Sequence, residues 1–430
     1  MRLRTVGFFG ALCLSSSFLA MASCSGSPMN PFGDGGGDGN MMNGDTGMMN
    51  PCGAQTQCSG KCVDTATDPQ NCGTCGKTCG MKEACSNGSC VSCMQLDVDK
   101  DGFNACDDCD DNDPNVNPGA FEVGGNNKDD NCDGKTDEVI TCDMGLVSDS
   151  MDPLDMVKAM DICDKGVTAT YPTIADTKTH QIANDWGSVF KPQLGATMAA
   201  LSTGIAADTD DTKPPFDVTN TPQGGTDFMK SGTMFPVTAA APYQCGAGMF
   251  TDPMAADVRD YTELKVQLKV PTNAKSFAID ALYLTAEYPE ALCTGTFPSY
   301  DDPAFILLDS MAFKGNIASG GAHGRALSVK SGLLTNTTAQ QLAGTGMEKL
   351  ITNVPAGAAT AWMTFEAPVV PGETITLRFV VLDMKDGSWD TQMLLDHFRW
   401  QTKTLCGPMG NFDGGTMGCP DGGVLDASGQ

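Results

Sequence analysis

Leu264, Val266, Leu268 and Val270 alternate with Lys265, Gln267 and Lys269, and Ile375, Leu377, Phe379 and Val381 alternate with Thr376, Arg378 and Val380. Period-two runs bounded by Pro, Gly and Asn predict half-buried antiparallel strands, and several such runs point to a β-sandwich. One segment reads differently. Asp152-Pro153 opens a helix with Leu154, Val157 and Met160 on one face, Cys163 near its end and Gly166 as its stop. Ahead of these elements the apolar signal fades: residues 25–139 hold ten Val, Ile, Leu, Phe, Trp or Tyr residues in all. That third of the chain has no hydrophobic core, so crosslinks and ions must take its place. The expected fold is mainly β: a C-terminal antiparallel, jelly-roll-like sandwich with a short helix at its start, behind small modules with little regular structure.

Composition sharpens this division. The 430 residues carry 53 acids, 26 bases, 3 histidines and 20 cysteines, for a net charge of −27. Binding to nucleic acid or to anionic lipid depends on clustered Lys and Arg, so neither is expected. Arg2 and Arg4 precede an apolar run from Val6 to Leu14, then Ser15 to Ser17 and Phe18 to Ala22. This reads as a secretory signal over residues 1–23, too short and interrupted to span a bilayer. Its removal takes the net charge from −27 to −29. Met21-Ala22-Ser23-Cys24 resembles the lipobox of bacterial lipoproteins, which implies a diacylglycerol on Cys24; ordinary cleavage with Cys24 in a disulfide is the alternative. Ser25 lacks the aspartate associated with inner-membrane retention, which favours the outer membrane or cell surface. Residues 24–51, rich in Gly, Asn and Met, read as a flexible tether with an end-to-end distance of roughly 30 Å.

With Cys13 and Cys24 set aside, an even 18 cysteines remain in an oxidising compartment, which supports full pairing. Nine fall in residues 52–93: Cys52, Cys58, Cys62, Cys72, Cys75, Cys79, Cys85, Cys90 and Cys93. A zinc ribbon at Cys72-x-x-Cys75 competes with disulfides, and export favours the disulfides. The string CSGKCVDTATDPQNCGTCGKTCGMKEACSNGSC resembles the stigma-specific-protein-like cysteine module. Eight of its cysteines can then pair internally, leaving Cys93 to pair forward.

Residues 94–140 form an acidic segment, with 14 acids against three lysines over 97–138. Asp97-x-Asp99-x-Asp101-Gly102 followed by Asp108 sets carboxylates at positions 1, 3, 5 and 12 of an EF-type loop, with glycine at 6 for the turn. Asp129-x-Asn131-x-Asp133-Gly134-x-x-Asp137 repeats positions 1, 3, 5, 6 and 9, and Asp111-x-Asp113-x-Asn115 lies between. Hard oxygen donors in such numbers suit calcium. The stretch DVDKDGFNACDDCDDNDPNVNPGAFEVGGNNKDDNCDGKTDE resembles the MopE-type metal-binding motif, a family associated by name with copper. This segment holds no His, Met or Trp. With Cys106, Cys109 and Cys132 bridged, no soft or imidazole donor remains for copper, and calcium is the expected ion. The resemblance leans toward Cys109 with Cys132 and Cys93 with Cys106.

Residues 141–406 resemble the choice-of-anchor L domain through Val270-Pro-Thr-Asn-Ala274, Ala286-Glu-Tyr-Pro-Glu290, Val370-Pro-Gly-Glu373 and Leu382-Asp-Met-Lys-Asp-Gly-Ser-Trp-Asp-Thr-Gln-Met-Leu-Leu-Asp396. The resemblance implies an extracellular location and a β-rich fold, and no reaction. Here Asp383, Asp386, Asp390 and Asp396 form one acidic set and Glu287, Glu290, Asp301 and Asp302 another. Either set would ligate calcium or hold a sugar, against the plainer reading of loop acids in turns. Cys142 with Cys163, Cys245 with Cys293 and Cys406 with Cys419 are expected staples, and 407–430 is a Gly-rich tail. No catalytic motif surrounds His180, His323 or His397.

The expected protein is a lipid-anchored surface protein, not an enzyme. A calcium-stabilised, disulfide-bonded stalk presents a sandwich for adhesion to polysaccharide or a surface protein. A secreted, surface-attached hydrolase of polysaccharide or peptide is the alternative, and a copper-binding surface protein is the third reading.

Overall fold

The computed structural model of the protein describes residues 52–187, 189–206, 243–245, 248–250, 258–288, 292, 301–320, 325–334, 341–347, 349–351, 354–384 and 389–410. The expectations for the signal, Cys24, the tether, Glu290, Cys293, His323, Asp386, Cys419 and most of the tail lie outside these residues. No helix among them is long and apolar enough to cross a membrane. Ala54–Gln430 is one compact unit and Met1–Gly53 another.

Two antiparallel sheets make the sandwich. Its elements in chain order are helix α1 (Pro153–Lys158) and strands β1 (Thr168–Thr173), β2 (His180–Ala183), β3 (Met198–Ser202), β4 (Val258–Lys269), β5 (Ser276–Thr285) and β6 (Ala304–Asp309). Strands β7 (Lys314–Asn316), β8 (Ala358–Ala359), β9 (Met363–Pro368), β10 (Thr374–Met384), β11 (Thr391–Gln401) and β12 (Met409–Gly410) follow. The first sheet runs β7-β6-β10-β4-β1, and the second β12-β9-β5-β11-β3-β2, with β8 also on β5. Long crossovers such as β4 to β10 give the order expected of a jelly roll rather than a meander.

The alternation read from the sequence is the inward face. Leu264, Val266 and Leu268 of β4 and Ile375, Leu377, Phe379 and Val381 of β10 pack against Phe277, Ile279, Tyr283, Phe365, Met393 and Leu395 of the other sheet in one core. Lys265, Gln267 and Lys269 face outward. The second sheet has a covered outer face as well: Leu282, Leu284 and Leu394 pack under Trp186, Phe190, Leu342 and Met347. Tyr261, Phe305, Leu307, Val380 and Leu382 form a third cluster around the first sheet. A strand covered on both faces carries no alternation, which is why Ala281-Leu282-Tyr283-Leu284 reads as a continuous apolar run.

The helix begins as read, since Asp152 Oδ1 accepts from Leu154 N at 2.9 Å. It ends early, after Lys158, because Asp161 stands in the left-handed region at φ 64°. On the outer face of the first sheet, Arg378 is bidentate to Glu263, with Nε to Oε1 at 2.6 Å and Nη2 to Oε2 at 2.8 Å. Burial pushes Glu263 up, but the Arg378 and Tyr261 hydrogen bonds outweigh it and hold the carboxyl below its ordinary range.

His180, on β2, is 5% exposed and its ring lies 4.4 Å from that of Tyr171. Burial holds its pKa below the usual imidazole value, against a hydrogen bond that the ring donates to the Ser150 backbone carbonyl. The depressed value means stability is complete above the unfolded pKa, near 6.5, and is lost as pH falls below it, because the unfolded ring takes the proton first. His180→Phe should flatten this acid loss, by up to about 1.4 kcal/mol per pH unit, in urea unfolding followed from pH 7.5 to 5. An unchanged slope would remove His180 from the pH response.

Candidate metal centre

The front modules are built from short hairpins and covalent ties. Thr56–Cys58 pairs with Lys61–Val63, and Glu83–Ser86 with Ser89–Ser92. Disulfides join Cys58 to Cys75, Cys72 to Cys85 and Cys79 to Cys90, and Cys52 and Cys62 are disulfide-bonded too. Cys93 pairs forward to Cys106, and Cys109 pairs with Cys132. These match the leanings drawn from sequence, as does Cys142 with Cys163. Cys406 is disulfide-bonded; the side chain of Cys245 lies outside the description. The groupings Cys72, Cys79, Cys90 and Asp108, Cys109, Cys132 bring sulfur close together, yet every one of those thiols is consumed in a bridge and offers no thiolate to a metal.

The first acidic loop gathers as the spacing predicts. Ala105 N donates to Leu96 O at 2.9 Å and closes it, while Lys100 N and Gly102 N donate to the two oxygens of Asp97. Gly102, at φ 98°, makes the turn that a side chain would strain. Carboxylate oxygens of Asp99, Asp101 and Asp108 lie within 4.8 Å of one another, as do those of Asp97, Asp99 and Asp111. Two oxygens on opposite sides of a calcium ion at about 2.3–2.6 Å would stand about 4.6–5.2 Å apart, so each triad has the spacing to hold a hard cation. Asp99 Oδ2, Asp101 Oδ2 and Asp108 Oδ2 are buried and accept no hydrogen bond. Burial first, then the Asp101, Asp99 and Asp111 charges, push Asp108 up to about 6 against the hydrogen bond from Asp110. Burial and neighbouring carboxylates likewise raise Asp99 and Asp111. Orphaned oxygens and uncompensated like charge are what a bound divalent cation would relieve.

The remaining acids divide. Asp111 joins the first loop, its Oδ1 accepting from Val98 N at 3.1 Å. Asp113 instead pairs with Lys128 at 2.6 Å and takes both the backbone and side-chain nitrogens of Asn115. In the second loop Asp129 accepts from Asp133 N and Gly134 N, repeating the first loop's turn. Asn131 Nδ2 donates to Glu138, and Asp133 pairs with Lys135 at 3.0 Å. Asp137 turns away to cap the backbone nitrogens of Gly125, Asn126 and Asn127. The first loop is therefore the centre, with the second engaged on the chain's own donors.

Sequence reading missed what holds this segment in place. Phe121 N donates to Asn273 Oδ1 and Asn273 Nδ2 donates back to Phe121 O, both at 2.9 Å. Thr272 N donates to Gly119 O at 3.0 Å and its hydroxyl to Asn117 Oδ1 at 2.7 Å. Phe121 then packs against the sandwich core. A Cβ on Gly119 would come within 2.8 Å of Phe103 and 3.1 Å of Thr272, so only glycine lets the loop lie this close. Glu122 braces the loop from within, accepting Asp130 N and Asp137 N. The pieces were visible as Pro-Gly-Ala-Phe-Glu and Pro-Thr-Asn-Ala; that they meet was not.

In the sandwich, Asp383, Asp390, Glu287, Asp301 and Asp302 are all buried. Asp396 is not with them. It sits within β11, accepting from Gln193 N and Leu194 N, and burial followed by Asp161 pushes it up to about 8. His397 Nδ1 lies 2.8 Å from Asp280 Oδ2, a hydrogen-bonding contact between neighbouring strands.

Comparison with known proteins agrees with both front modules. A family model described as "Putative metal-binding motif", and named for copper binding in MopE, matches residues 108–138. That of the stigma-specific STIG1-like protein family matches 45–122. Neither spans half of the chain. Asp97, Asp99 and Asp101 precede the metal-binding match and join it on geometry alone. No curated protein matches the chain. Among solved structures, TmCBM61 in complex with β-1,4-galactotriose is similar at 7% identity and a TM-score of 0.22, over 60% of this chain and 99% of that one. At that score the likeness carries no argument about this chain.

Asn273→Ala should loosen the acidic segment from the sandwich. Hydrogen exchange at amides 117–131 should then speed up by roughly tenfold, the cost of about 1.4 kcal/mol for two lost hydrogen bonds, while β4 and β10 stay protected. Unchanged exchange at 117–131 would show that the contact does not hold the segment.

Proposed function

We propose that this is an exported, surface-attached binding protein whose disulfide-linked front half is ordered by calcium and clamped to a β-sandwich that binds a ligand. The supporting observation is the convergence of Asp97, Asp99, Asp101, Asp108 and Asp111, with three buried carboxylate oxygens that accept no hydrogen bond. The choice of calcium over copper is supported by the donors themselves, all hard oxygens, beside thiols that are bridged. The ion supplies no reaction. It cancels charge and completes the bonding of a loop too poor in apolar residues to hold itself. Attachment through a lipid on Cys24 and a choice-of-anchor L-like character for the head remain part of the proposal, on the sequence. So does a non-catalytic role, supported by His180 being packed against Tyr171 and His397 being hydrogen-bonded to Asp280. The ligand of the head is proposed as a surface polysaccharide, on the strength of the fold class alone.

Calcium titration of the full chain by calorimetry is the first test. Asp99→Asn with Asp101→Asn should remove one equivalent of calcium and reduce the thermal stabilisation that calcium gives. Copper binding that survives both substitutions would place copper elsewhere. No calcium uptake by the unsubstituted chain, with the same melting temperature in chelator, would end the calcium reading. Glycan-array binding with and without calcium tests the head; an array with no retained sugar would turn the search to a protein ligand.

A further inference from the structure

The end of helix α1 and strand β11 meet through a pair of acids. Phe398 N donates to Met160 O at 2.9 Å, which sets the end of the helix beside the strand. The next residue, Asp161, turns left-handed at φ 64°, and its carboxyl comes to rest against that of Asp396 on β11. Both side chains are buried, with Asp161 7% and Asp396 0% exposed. The two are furnished differently. Asp396 accepts from Gln193 N and Leu194 N on Oδ2 and from His397 N on Oδ1, and three such amides favour its anion. Neither oxygen of Asp161 accepts from an N–H or hydroxyl among the described residues.

The bases around this pair are engaged elsewhere. Lys158 of α1 pairs with Asp155 at 2.8 Å, and Lys191 of the covering loop with Asp185 at 2.9 Å. His397 Nδ1 and Arg399 both turn to Asp280 of β5. From the segment ahead of α1, Asp143 adds a third buried acid, whose Oδ2 takes Ala196 N and Thr197 N while its Oδ1 takes nothing among the described residues. Two anions in contact away from water are costly without a cation between them. A single proton removes that cost: an O–H on Asp161 donates to Asp396, which keeps the charge and its three amides. Burial first, then the Asp161 charge, push Asp396 up to about 8 against those amides, and burial with the Asp143 charge raises Asp161 as well. What the pair secures is the loop leading into β3. Gln193 and Leu194 hang from Asp396, Ala196 and Thr197 hang from Asp143, and Gly195 between them, at φ 66°, lies where a side chain would collide with the Asp143 carboxylate.

We propose that Asp161 and Asp396 share one proton as an acid–carboxylate latch, which fastens loop 193–197 and the end of α1 to β11 and which rising pH opens. Asp161 is the acid and Asp396 the carboxylate. The latch stands whether or not the front loops bind calcium or the head binds a sugar.

The folded chain holds a proton that unfolded aspartates release above about 3.9. Stability from the latch is therefore complete in acid, is lost as pH rises toward about 8, and levels beyond. Urea unfolding of the full chain in chelator, compared with Asp161→Asn, reads this loss. The asparagine amide donates to Asp396 with no proton to give up. The folding equilibrium constant of the unsubstituted chain, relative to that of the variant, should fall by up to about tenfold per pH unit from about pH 5 to 8. A ratio constant over that range would overturn the proposal, since a merely structural Asp161 leaves it flat. Should Asp161→Asn fail to fold, the unsubstituted chain decides alone. Hydrogen exchange at the Gln193 and Leu194 amides, corrected for the intrinsic rise of exchange with pH, should lose protection over the same range; protection independent of pH would overturn the latch.

Discussion

The constraint beneath this structure is the shortage of apolar surface ahead of residue 140. Ordering a residue costs on the order of 1–2 kcal/mol in backbone entropy, and ten large apolar side chains over 25–139 cannot offset that. Disulfides shrink the unfolded ensemble instead, and closed loops of 11 to 23 residues such as Cys79–Cys90 and Cys109–Cys132 are of the length where each contributes about 3 kcal/mol in the chain-entropy account. Crosslinks leave the polar groups unsatisfied, however. The carboxylates of the first loop meet one another, and the cation proposed for it would supply the missing counter-charge.

That dependence explains why the acidic segment is clamped to the sandwich rather than left to project from it. Asn117, Gly119 and Phe121 lie on the turn that joins β4 to β5, and Phe121 borrows the core that its own segment lacks. A loop with no interior has found one next door. The front module is thus coupled to the sandwich through hydrogen bonds from Thr272 and Asn273, at a turn between two central strands. Ordering of the metal loop and rigidity of that turn are consequently linked.

What the sequence made legible follows from the range of the interactions involved. Period-two alternation is local, so β4 and β10 could be read directly, and so could the Asp152 cap and the first loop's Asp-x-Asp-x-Asp-Gly spacing. Boundaries set by a single backbone angle were harder: nothing in the local pattern marks Asp161 as left-handed, and the helix was read too long. The outer clusters under Trp186 and around Phe305 erase alternation where both faces are covered. The Asn273 clasp and the bond from Met384 N to Asp302 depend on contacts across 152 and 82 residues of chain, for which one sequence carries no signal. The second loop repeats the spacing within the residues that match the metal-binding motif, but Lys135 and the backbone nitrogens of Gly125, Asn126 and Asn127 already engage Asp133 and Asp137, which spacing alone does not reveal.

The front loop and the buried end of the sandwich meet their negative charge differently. In the front loop the carboxylates are close to water, so an ion there exchanges a hydrated state for a chelated one and gains mainly from the spacing of the donors. At the end of the sandwich the carboxylates are dehydrated by the strands around them, and Asp302, Glu287 and Asp301 are met there by the nitrogens of Met384, Asp302 and Lys330. Arg378 and Glu263 show the contrasting solution on the same sheet, where the chain provides both partners and no ion is needed. The sandwich thus meets its buried charge from within the chain, through Arg378 on Glu263 and Lys330 beside Asp301, while the front loop gathers carboxylates with no lysine or arginine bound to them.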